Sequence, residues 1–291
     1  MLTSLDCLPC LLRQTVSAAR IANGSEKLQK EIVHRIALLL PELDFEISPP
    51  ENAIRVYNLI SELSGNIDPF EEIKKQSNEL ALNLRPQVLE KIKTSSDPLQ
   101  TAIQFSMAGN IIDYGAHHEF DVHETINKCL TIEPAINHFD QLVRDIEKAE
   151  TILYLADNSG EIVFDELLIR LIRNKRIILA VKEGPILNDA LIKDAVECGL
   201  DKYCKVISNG TNCPGTPLQI CNADFQKIFR NADLIISKGQ GNFETLSDVK
   251  APIYFLLTVK CRIVGEYICK LAGAGSRSIT YGDMVLMKNF Q

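Results

Sequence analysis

The chain has 291 residues, of which 46% are apolar and 24% charged, so it is long enough to bury a substantial core. Its net charge of −7 argues against nucleic acid as the main partner, because phosphate backbones are bound by basic surfaces. No apolar run approaches the length of about 20 residues that a membrane span needs, and the N-terminus lacks a signal-peptide pattern. Nine cysteines, an odd number in a chain without an export signal, favour reduced thiols and therefore a cytoplasmic protein. Together with the charge and the lack of a long apolar run, this predicts a protein that binds neither membrane nor nucleic acid.

The N-terminus carries a C-L-P-C motif, in which Cys7 and Cys10 lie near a predicted helix start. A helix N-terminus can lower a thiol pKa, so redox chemistry and metal binding are both open to this pair. A structural zinc site usually needs four ligands, and no second C-x-x-C is present. We therefore prefer a buried or loosely functional pair to a zinc site.

The first half of the chain has the periodicity of helices. Apolar residues recur three and four positions apart in the segments 10–21, 28–40, 53–63, 70–84 and 99–113. Hardly any segment there resembles a strand, so the pattern predicts an all-helical region over residues 1–147.

The second half alternates short apolar runs with helical segments. The runs 151–156, 176–181, 204–207, 233–237 and 252–257 are typical of buried parallel strands. The last stretch, T-Y-G-D-M-V-L-M-K, predicts one more strand at an edge, of undetermined direction. We therefore expect an α/β fold, with a Rossmann-like, mainly parallel sheet and flanking helices over residues 148–291 beside the helical region.

Each predicted strand ends in a polar turn, and the carboxyl ends of parallel strands meet at the edge of the sheet where ligands bind. Glycines and helix caps explain any single turn. Five such turns, with carboxylates, amides and amines at one edge, predict a functional crevice. The turns are D-N-S-G-E from 157, K-E-G-P from 182 with N-D from 188, S-N-G-T from 208, K-G-Q-G-N from 238 and T-V-K from 258.

The chemistry of this crevice indicates a cation and a phosphate. Asp157, Asp189 and the amide oxygen of Asn158 are hard oxygen donors suited to Mg²⁺ or Mn²⁺. Lys238 and Lys260 are candidates to bind phosphate oxygens, helped by backbone N–H groups in S-G-E and G-Q-G-N. The third glycine of the dinucleotide fingerprint is absent and no P-loop motif occurs, which argues against NAD binding and against an NTPase.

Four motifs together resemble a known family. A-D-N-S-G-E, K-E-G-P-I-L-N-D-A, S-K-G-Q-G-N-F-E-T-L and, in the helical half, A-G-N-I-I-D-Y-G make the chain similar over nearly its whole length to the metal-dependent damage-control phosphatases. The N-terminal C-L-P-C resembles the subgroup found in archaea and other microbes. The resemblance implies a helical region beside a Rossmann-like sheet, a divalent metal, and hydrolysis of small phosphorylated metabolites.

The resemblance also implies roles for individual residues. Those that match the family's metal ligands are Asp157, Asn158 and Asp189, those in its substrate-binding segment are Gln240, Asn242 and Glu244, and its phosphate-binding lysine is Lys260. The eukaryotic branch has Arg-Thr-x-Lys where this chain has L-T-V-K. Because the arginine is missing, the resemblance does not carry over sugar-phosphate specificity.

Asn110 and Asp113 lie three positions apart in A-G-N-I-I-D-Y-G and would share one face of a helix. By itself the spacing fits a solvated helix end equally well. Together with the family resemblance it favours a site role, with the helical region packed over the carboxyl edge of the sheet.

We predict a metal-dependent phosphomonoester hydrolase. The expected cofactor is a divalent metal ion, which is Mg²⁺, Mn²⁺, Co²⁺ or Ni²⁺. Glu161 is a candidate general base, and the sequence does not decide between direct attack by water and a phospho-enzyme on Asp157. The alternatives are an S-adenosylmethionine-dependent carboxyl methyltransferase and a non-enzymatic phosphometabolite-binding protein. Metal-dependent release of inorganic phosphate separates the three.

Overall fold

The structure, a computed structural model, describes residues 1–22, 24–115, 130–131, 133–273 and 278–289, with residues 110–115 described by their backbone alone. The first half of the described chain is helical, as predicted. None of the helices in these ranges has the length and apolar character to cross a membrane. The helices of this half are α1 (Cys7–Ile21), α2 (Glu26–Leu39), α3 (Pro49–Ser64), α4 (Glu71–Thr94) and α5 (Pro98–Gly115).

Two of these helices extend furthest beyond the predicted segments, for identifiable reasons. Helix α3 begins earlier because Ser48 and Glu51 form a capping box, in which the Ser48 N–H donates to the Glu51 carboxylate over 3.0 Å. Helix α4 continues past Pro86, near which the predicted segment ended. The tertiary packing of Val88 and Ile92, both buried in the core, outweighs the local cost of the proline.

The second half forms the predicted sheet. In the part of the chain that the structure describes, seven strands lie in the order β1-β7-β6-β5-β2-β3-β4, and the central pairs are parallel. Strand β7 runs antiparallel to β6, and the two-residue β1, which the sequence pattern did not reveal, covers its outer edge. The strands are β1 (Ile136–Asn137), β2 (Thr151–Leu155), β3 (Arg176–Val181), β4 (Lys205–Ser208), β5 (Leu234–Lys238), β6 (Ile253–Thr258) and β7 (Met284–Lys288). The predicted α/β fold is confirmed.

Helices cover both faces of this sheet. Alternate residues of β2 point to opposite faces, so that Tyr154 belongs to one apolar cluster and Leu155 to another. The first cluster also contains Leu84 of α4 and Phe105 of α5. One core therefore extends across residue 148, and the division into regions 1–147 and 148–291 stays a prediction. The remaining helices are α6 (Phe139–Lys148), α7 (Glu161–Leu171), α8 (Ile192–Glu197), α9 (Ala223–Asn231), α10 (Gln240–Leu246) and α11 (Arg262–Ala272).

Candidate active site

The polar turn that ends β2 is joined to the turn that ends β3. The backbone N–H of Ala190 donates to the carbonyl oxygen of Asp157 over 2.9 Å, and Asn158 pairs with Asp189 in an isolated antiparallel bridge. Adjacent parallel strands place their carboxyl ends side by side, which explains this contact. The structure thus brings Asp157, Asn158 and Asp189, the predicted metal ligands, onto two connected turns, and each residue is at most 7% exposed.

Helix capping does not account for the Asp-Asn pair. The N-cap residue of α7 is Gly160, which has φ of 76° and no side chain to cap the helix. The backbone N–H of Gly160 donates to the side-chain oxygen of Asn78, on α4, over 2.6 Å. Asp157 and Asn158 therefore lie before the N-cap position of α7.

The turn after β5 closes on Asp157 from another direction. Gly239 has φ of 78°, and a Cβ atom added there would lie 2.1 Å from Oδ2 of Asp157. Its N–H donates to the carbonyl oxygen of Leu256 over 2.9 Å. The N–H groups of Gly160 and Gly239, in turns predicted to bind phosphate through their backbone, are thus bonded within the protein. The G-Q-G-N turn instead makes room for the Asp157 carboxylate.

The carboxylate of Asp189 is buried, and one of its oxygens, Oδ2, accepts no hydrogen bond. Burial raises the pKa of Asp189 to about 7; the Lys182 cation opposes this shift and the Asp157 charge adds to it. The Lys182 nitrogen lies 3.6 Å from Oδ2 of Asp189 and donates to the carbonyl oxygen of Gly215 over 2.7 Å. Oδ2 of Asp189 accepts no hydrogen bond. A second cation beside it would complete the coordination of this oxygen.

The predicted donor set fits a hard divalent cation. Two carboxylates and an amide oxygen are ligands that such ions prefer, and three protein ligands leave coordination positions for water and substrate. Across the described ranges, no three His, Cys, Asp or Glu side chains come together as a metal-binding group. The amide of Asn158 is therefore an essential member of the proposed set.

Lys238, predicted to bind phosphate oxygens, has its ammonium group hydrogen-bonded within the protein. Its ammonium group is fully buried and donates to the Ser106 carbonyl oxygen over 2.8 Å, to Glu161 over 2.6 Å and to Asp165 over 2.7 Å. An ammonium group has three hydrogens, so none remains for a phosphate. Burial acts to lower the pKa of Lys238, but the carboxylates of Asp165 and Glu161 outweigh it and raise this pKa. We therefore do not assign Lys238 to the substrate.

Glu161, the candidate base, is held in the same cluster. Its Oε1 accepts the Lys238 hydrogen bond, and its Oε2 accepts one from the Asn158 amide nitrogen over 3.2 Å. Burial raises the pKa of Glu161 to about 7, against the attraction of Lys238 and with the repulsion of Asp157. Because both oxygens are occupied, this geometry favours a positioning role over proton transfer to or from substrate.

Sequence reasoning missed two members of this cluster, Ser106 and Asp165. The Ser106 hydroxyl donates to Oδ1 of Asp165 over 2.7 Å, and the Tyr154 hydroxyl donates to the same oxygen over 2.6 Å. Asp165 lies one turn after Glu161 in a helix that is buried from Glu161 to Ile169. Two acidic residues four apart on a buried helix were the available signal, because such charges need partners.

Asn242 is also committed within the protein. Its amide nitrogen donates to the carbonyl oxygens of Ala156 (3.1 Å) and Lys238 (2.8 Å), and its side-chain oxygen accepts from the Thr216 hydroxyl over 2.7 Å. The side chain therefore joins the ends of β2 and β5, and we do not assign it to the substrate.

Gln240, Glu244 and Lys260 form a second group beside the predicted metal ligands. The Gln240 amide nitrogen donates to Glu244 over 2.9 Å, and its oxygen accepts from the Lys260 backbone N–H over 2.7 Å. Burial raises the pKa of Glu244 to about 7, although Gln240, the N-terminal ammonium and Lys260 oppose the shift. Lys260 is exposed, and its charge also acts on Asp189. The predicted phosphate lysine thus lies within electrostatic reach of Asp189, a predicted metal ligand.

The predicted site residues Asn110 and Asp113 have side chains outside the described part of the structure. The helix that carries these two residues, α5, lies next to the candidate site. A Cβ atom added at Gly109 would lie 2.7 Å from Cγ of Glu161. Helix α5 therefore reaches Glu161 at the residue before Asn110, while the roles of Asn110 and Asp113 stay predictions.

The C-L-P-C motif lies at the start of α1, and a third cysteine lies near it. Asp6, before α1, contacts Arg262, at the start of α11, over 3.4 Å. This contact brings Cys261, which accepts a 3.9 Å hydrogen bond from Gln240, towards Cys7. The eight described cysteines are all free thiols, in line with the prediction from composition.

Comparison with known proteins identifies the family. Residues 3–274 match the damage-control phosphatase ARMT1-like domain. A damage-control phosphatase of Pyrococcus horikoshii is 34% identical over 99% of both chains. A damage-control phosphatase of Archaeoglobus fulgidus is 31% identical over 96% of both chains. A crystal structure of a DUF89 family protein from Pyrococcus horikoshii, at 2.04 Å resolution, superposes with a TM-score of 0.89 and 33% identity over 99% of both chains.

We predict that Gly239→Ala weakens divalent-metal binding and turnover more than it weakens the fold. The added methyl group would occupy the place of the Asp157 carboxylate, and the positive φ adds backbone strain. Gly65→Ala is the control, because Gly65 has φ of 66° and nothing within 4 Å of its added Cβ. Both variants should lose roughly 1 kcal/mol of unfolding free energy from the strain. Equal metal affinity in the two variants, measured by calorimetry with Mn²⁺, would contradict the prediction.

Glu244 should make the metal-free protein less stable as the pH rises from about 4.5 to about 7. The folded state keeps the proton of Glu244 up to about pH 7, whereas the unfolded state loses it near 4.5, so the folded state binds more protons between these values. Glu244→Gln should therefore flatten this part of the stability profile. Urea unfolding at several pH values in the presence of a chelator measures it, with the exposed Glu266→Gln as control. A Glu244→Gln profile parallel to that of the wild type would refute the assignment.

Proposed function

Because this chain belongs to the damage-control phosphatase family with the ARMT1-like domain, we propose that it hydrolyses small phosphorylated metabolites at a divalent metal ion held by Asp157, Asn158 and Asp189. Membership in the family makes it a phosphatase and does not support the methyltransferase or non-enzymatic alternatives. The metal is Mg²⁺, Mn²⁺, Co²⁺ or Ni²⁺. A cytoplasmic location, predicted from the thiol content, is part of the proposal.

One observation carries the metal proposal. Oδ2 of Asp189 is buried without a hydrogen bond, on a turn that is bonded to the turn of Asp157 and Asn158. Leaving a buried carboxylate oxygen without a hydrogen bond is costly, and burying two neighbouring carboxylates adds their repulsion. A divalent cation between the two turns would satisfy the oxygen and offset the repulsion. When bound, such a cation supplies positive charge to the phosphoryl oxygens and acidifies a water molecule.

The chain's own residues would orient the substrate. Lys260 extends from the end of β6 as an exposed cation, and we assign it to the phosphate oxygens. Gln240 accepts the Lys260 backbone N–H and donates to Glu244, which fixes the position of the lysine relative to α10. Since the protein has a net charge of −7, local positive charge at this edge is needed to bind an anionic substrate.

We predict that Asp157→Asn abolishes metal binding and turnover but preserves the fold. The substitution removes a charged ligand and keeps the side-chain shape and the backbone bond to Ala190. Metal affinity should fall by more than the roughly 10- to 100-fold that loss of a supporting residue costs. Exposed Asp201→Asn is the matched control. Mn²⁺ calorimetry, thermal melting and phosphate release from a panel of small phosphomonoesters measure the three effects. Wild-type Mn²⁺ affinity together with wild-type phosphate release would falsify the proposed site.

Lys260→Ala should weaken substrate binding and leave Mn²⁺ affinity nearly unchanged. Losing a hydrogen bond from a charged group costs roughly 1.5–3 kcal/mol, so kcat/KM should fall about 10- to 100-fold. Lys250→Ala tests an exposed lysine that precedes β6, at the opposite end of the strand, and should behave as the wild type. A Lys260→Ala enzyme with the wild-type kcat/KM on the best phosphomonoester would show that another cation binds the phosphate.

A further inference from the structure

Three buried charges lie behind the proposed metal ligands. Lys238 is paired with Glu161 and Asp165, and none of the three side chains is more than 1% exposed. Such a cluster is not explained by stability alone, because replacing buried ion pairs with apolar side chains is often neutral or stabilising. Its position next to Asn158 indicates a functional reason.

Glu161 connects this cluster to the amide of Asn158. One oxygen of Glu161 accepts from Lys238 over 2.6 Å, and the other accepts from Nδ2 of Asn158 over 3.2 Å. Nδ2 of Asn158 also donates to Oδ2 of Asp157 over 2.9 Å. Ionised carboxylates only accept hydrogen bonds, so a flipped amide would place its oxygen against two carboxylate oxygens. These contacts therefore hold the Asn158 amide with its nitrogen towards the two carboxylates and its oxygen pointing away from them.

The position of Glu161 is itself fixed by the surrounding structure. Lys238, at the end of β5, also bonds the carbonyl oxygen of Ser106 on α5, and Asp165 accepts from both Ser106 and Tyr154. Gly109, on the same helix as Ser106, lies against the Glu161 side chain, where an added Cβ would be 2.7 Å from Cγ. Glu161 thus has little freedom to release the amide.

We propose that Lys238, Asp165 and Glu161 position the Asn158 amide so that its oxygen, and not its nitrogen, is presented to the metal ion. The inference rests on the proposed function, because it assigns a supporting role to residues behind its ligand set. Lys238 and Asp165 act through Glu161, and Glu161 acts through Asn158. In metal sites, residues that orient a ligand typically contribute 10- to 100-fold to affinity or activity.

The test compares Lys238→Met with Lys74→Met in the full chain. Lys74 is 1% exposed and bonds Asp68 over 2.6 Å, so its loss also breaks a buried lysine–aspartate pair, in the helical region. Both variants should melt at lower temperature. Only Lys238→Met should bind Mn²⁺ 10- to 100-fold more weakly than the wild type and lose kcat on p-nitrophenyl phosphate. Mn²⁺ affinities within twofold of each other in the two variants would overturn the inference.

A rescue variant separates positioning from general destabilisation. In Lys238→Met/Glu161→Gln the amide oxygen of the new glutamine can still accept from Asn158, whereas Lys238→Met/Glu161→Ala has no acceptor there. The first double variant should bind Mn²⁺ at least fivefold more tightly than the second, and equal affinities would overturn the inference. This pair carries the comparison even if Lys238→Met does not fold.

Wild-type protein and Asp157→Asn, measured in the same titrations, separate the two levels of the argument. If the wild type binds none of Mg²⁺, Mn²⁺, Co²⁺ and Ni²⁺, or if Asp157→Asn binds Mn²⁺ as tightly as the wild type, the proposed metal site fails and the inference fails with it. If both behave as expected and Lys238→Met matches Lys74→Met, only the positioning network is refuted.

Discussion

The buried ion pairs of Lys238 with Glu161 and Asp165 are the interactions on which the proposed site depends. An ammonium group that has lost its water is stable only where protein groups replace the lost hydration. Here the replacement comes from Glu161 and Asp165 on α7 and from the carbonyl oxygen of Ser106 on α5. The two carboxylates lie in the same half of the chain as Lys238, but the third hydrogen bond comes from α5, so the ammonium group is fully hydrogen-bonded only when the helical region has packed on the sheet. Docking of the two halves and assembly of the crevice are coupled, although the sequence suggests two regions divided near residue 148.

The crevice combines more negative than positive charge. The carboxylates of Asp157, Glu161, Asp165 and Asp189 are buried there with the cations of Lys182 and Lys238. Burial accordingly raises the pKa of Glu161 and of Asp189 to about 7. A divalent cation would correct this imbalance and would also make the crevice attractive to a phosphate. The same excess of buried negative charge would thus favour the proposed cation and, through that cation, the proposed binding of an anionic substrate by an acidic protein.

The fold could be predicted from the sequence because apolar periodicity decides which segments are buried. Apolar periodicity cannot reveal a strand as short as the two-residue β1. The periodicity also weakens near Pro86, although α4 continues past this residue because its later turns pack in the core. The grouping of Asp157, Asn158 and Asp189 followed from strand order, since adjacent parallel strands end side by side. Hydrogen-bond partners from distant segments could not be predicted in this way. The bond of Asn242 to Thr216 and that of Lys238 to Ser106 depend on tertiary contacts that local spacing does not encode.

The three lysines at the strand ends illustrate that limit. Lys182, Lys238 and Lys260 lie at or just after the carboxyl ends of β3, β5 and β6, and two of them were predicted to bind phosphate. Burial separates them: Lys182 and Lys238 are at most 3% exposed and bond groups of the protein, whereas Lys260 is exposed. A cation that compensates buried carboxylates cannot also leave them to follow a substrate, because the carboxylates would lose their partner. An acidic crevice that binds phosphate therefore needs two kinds of lysine, one held inside to stabilise the ligand set and one at the rim to meet the anion.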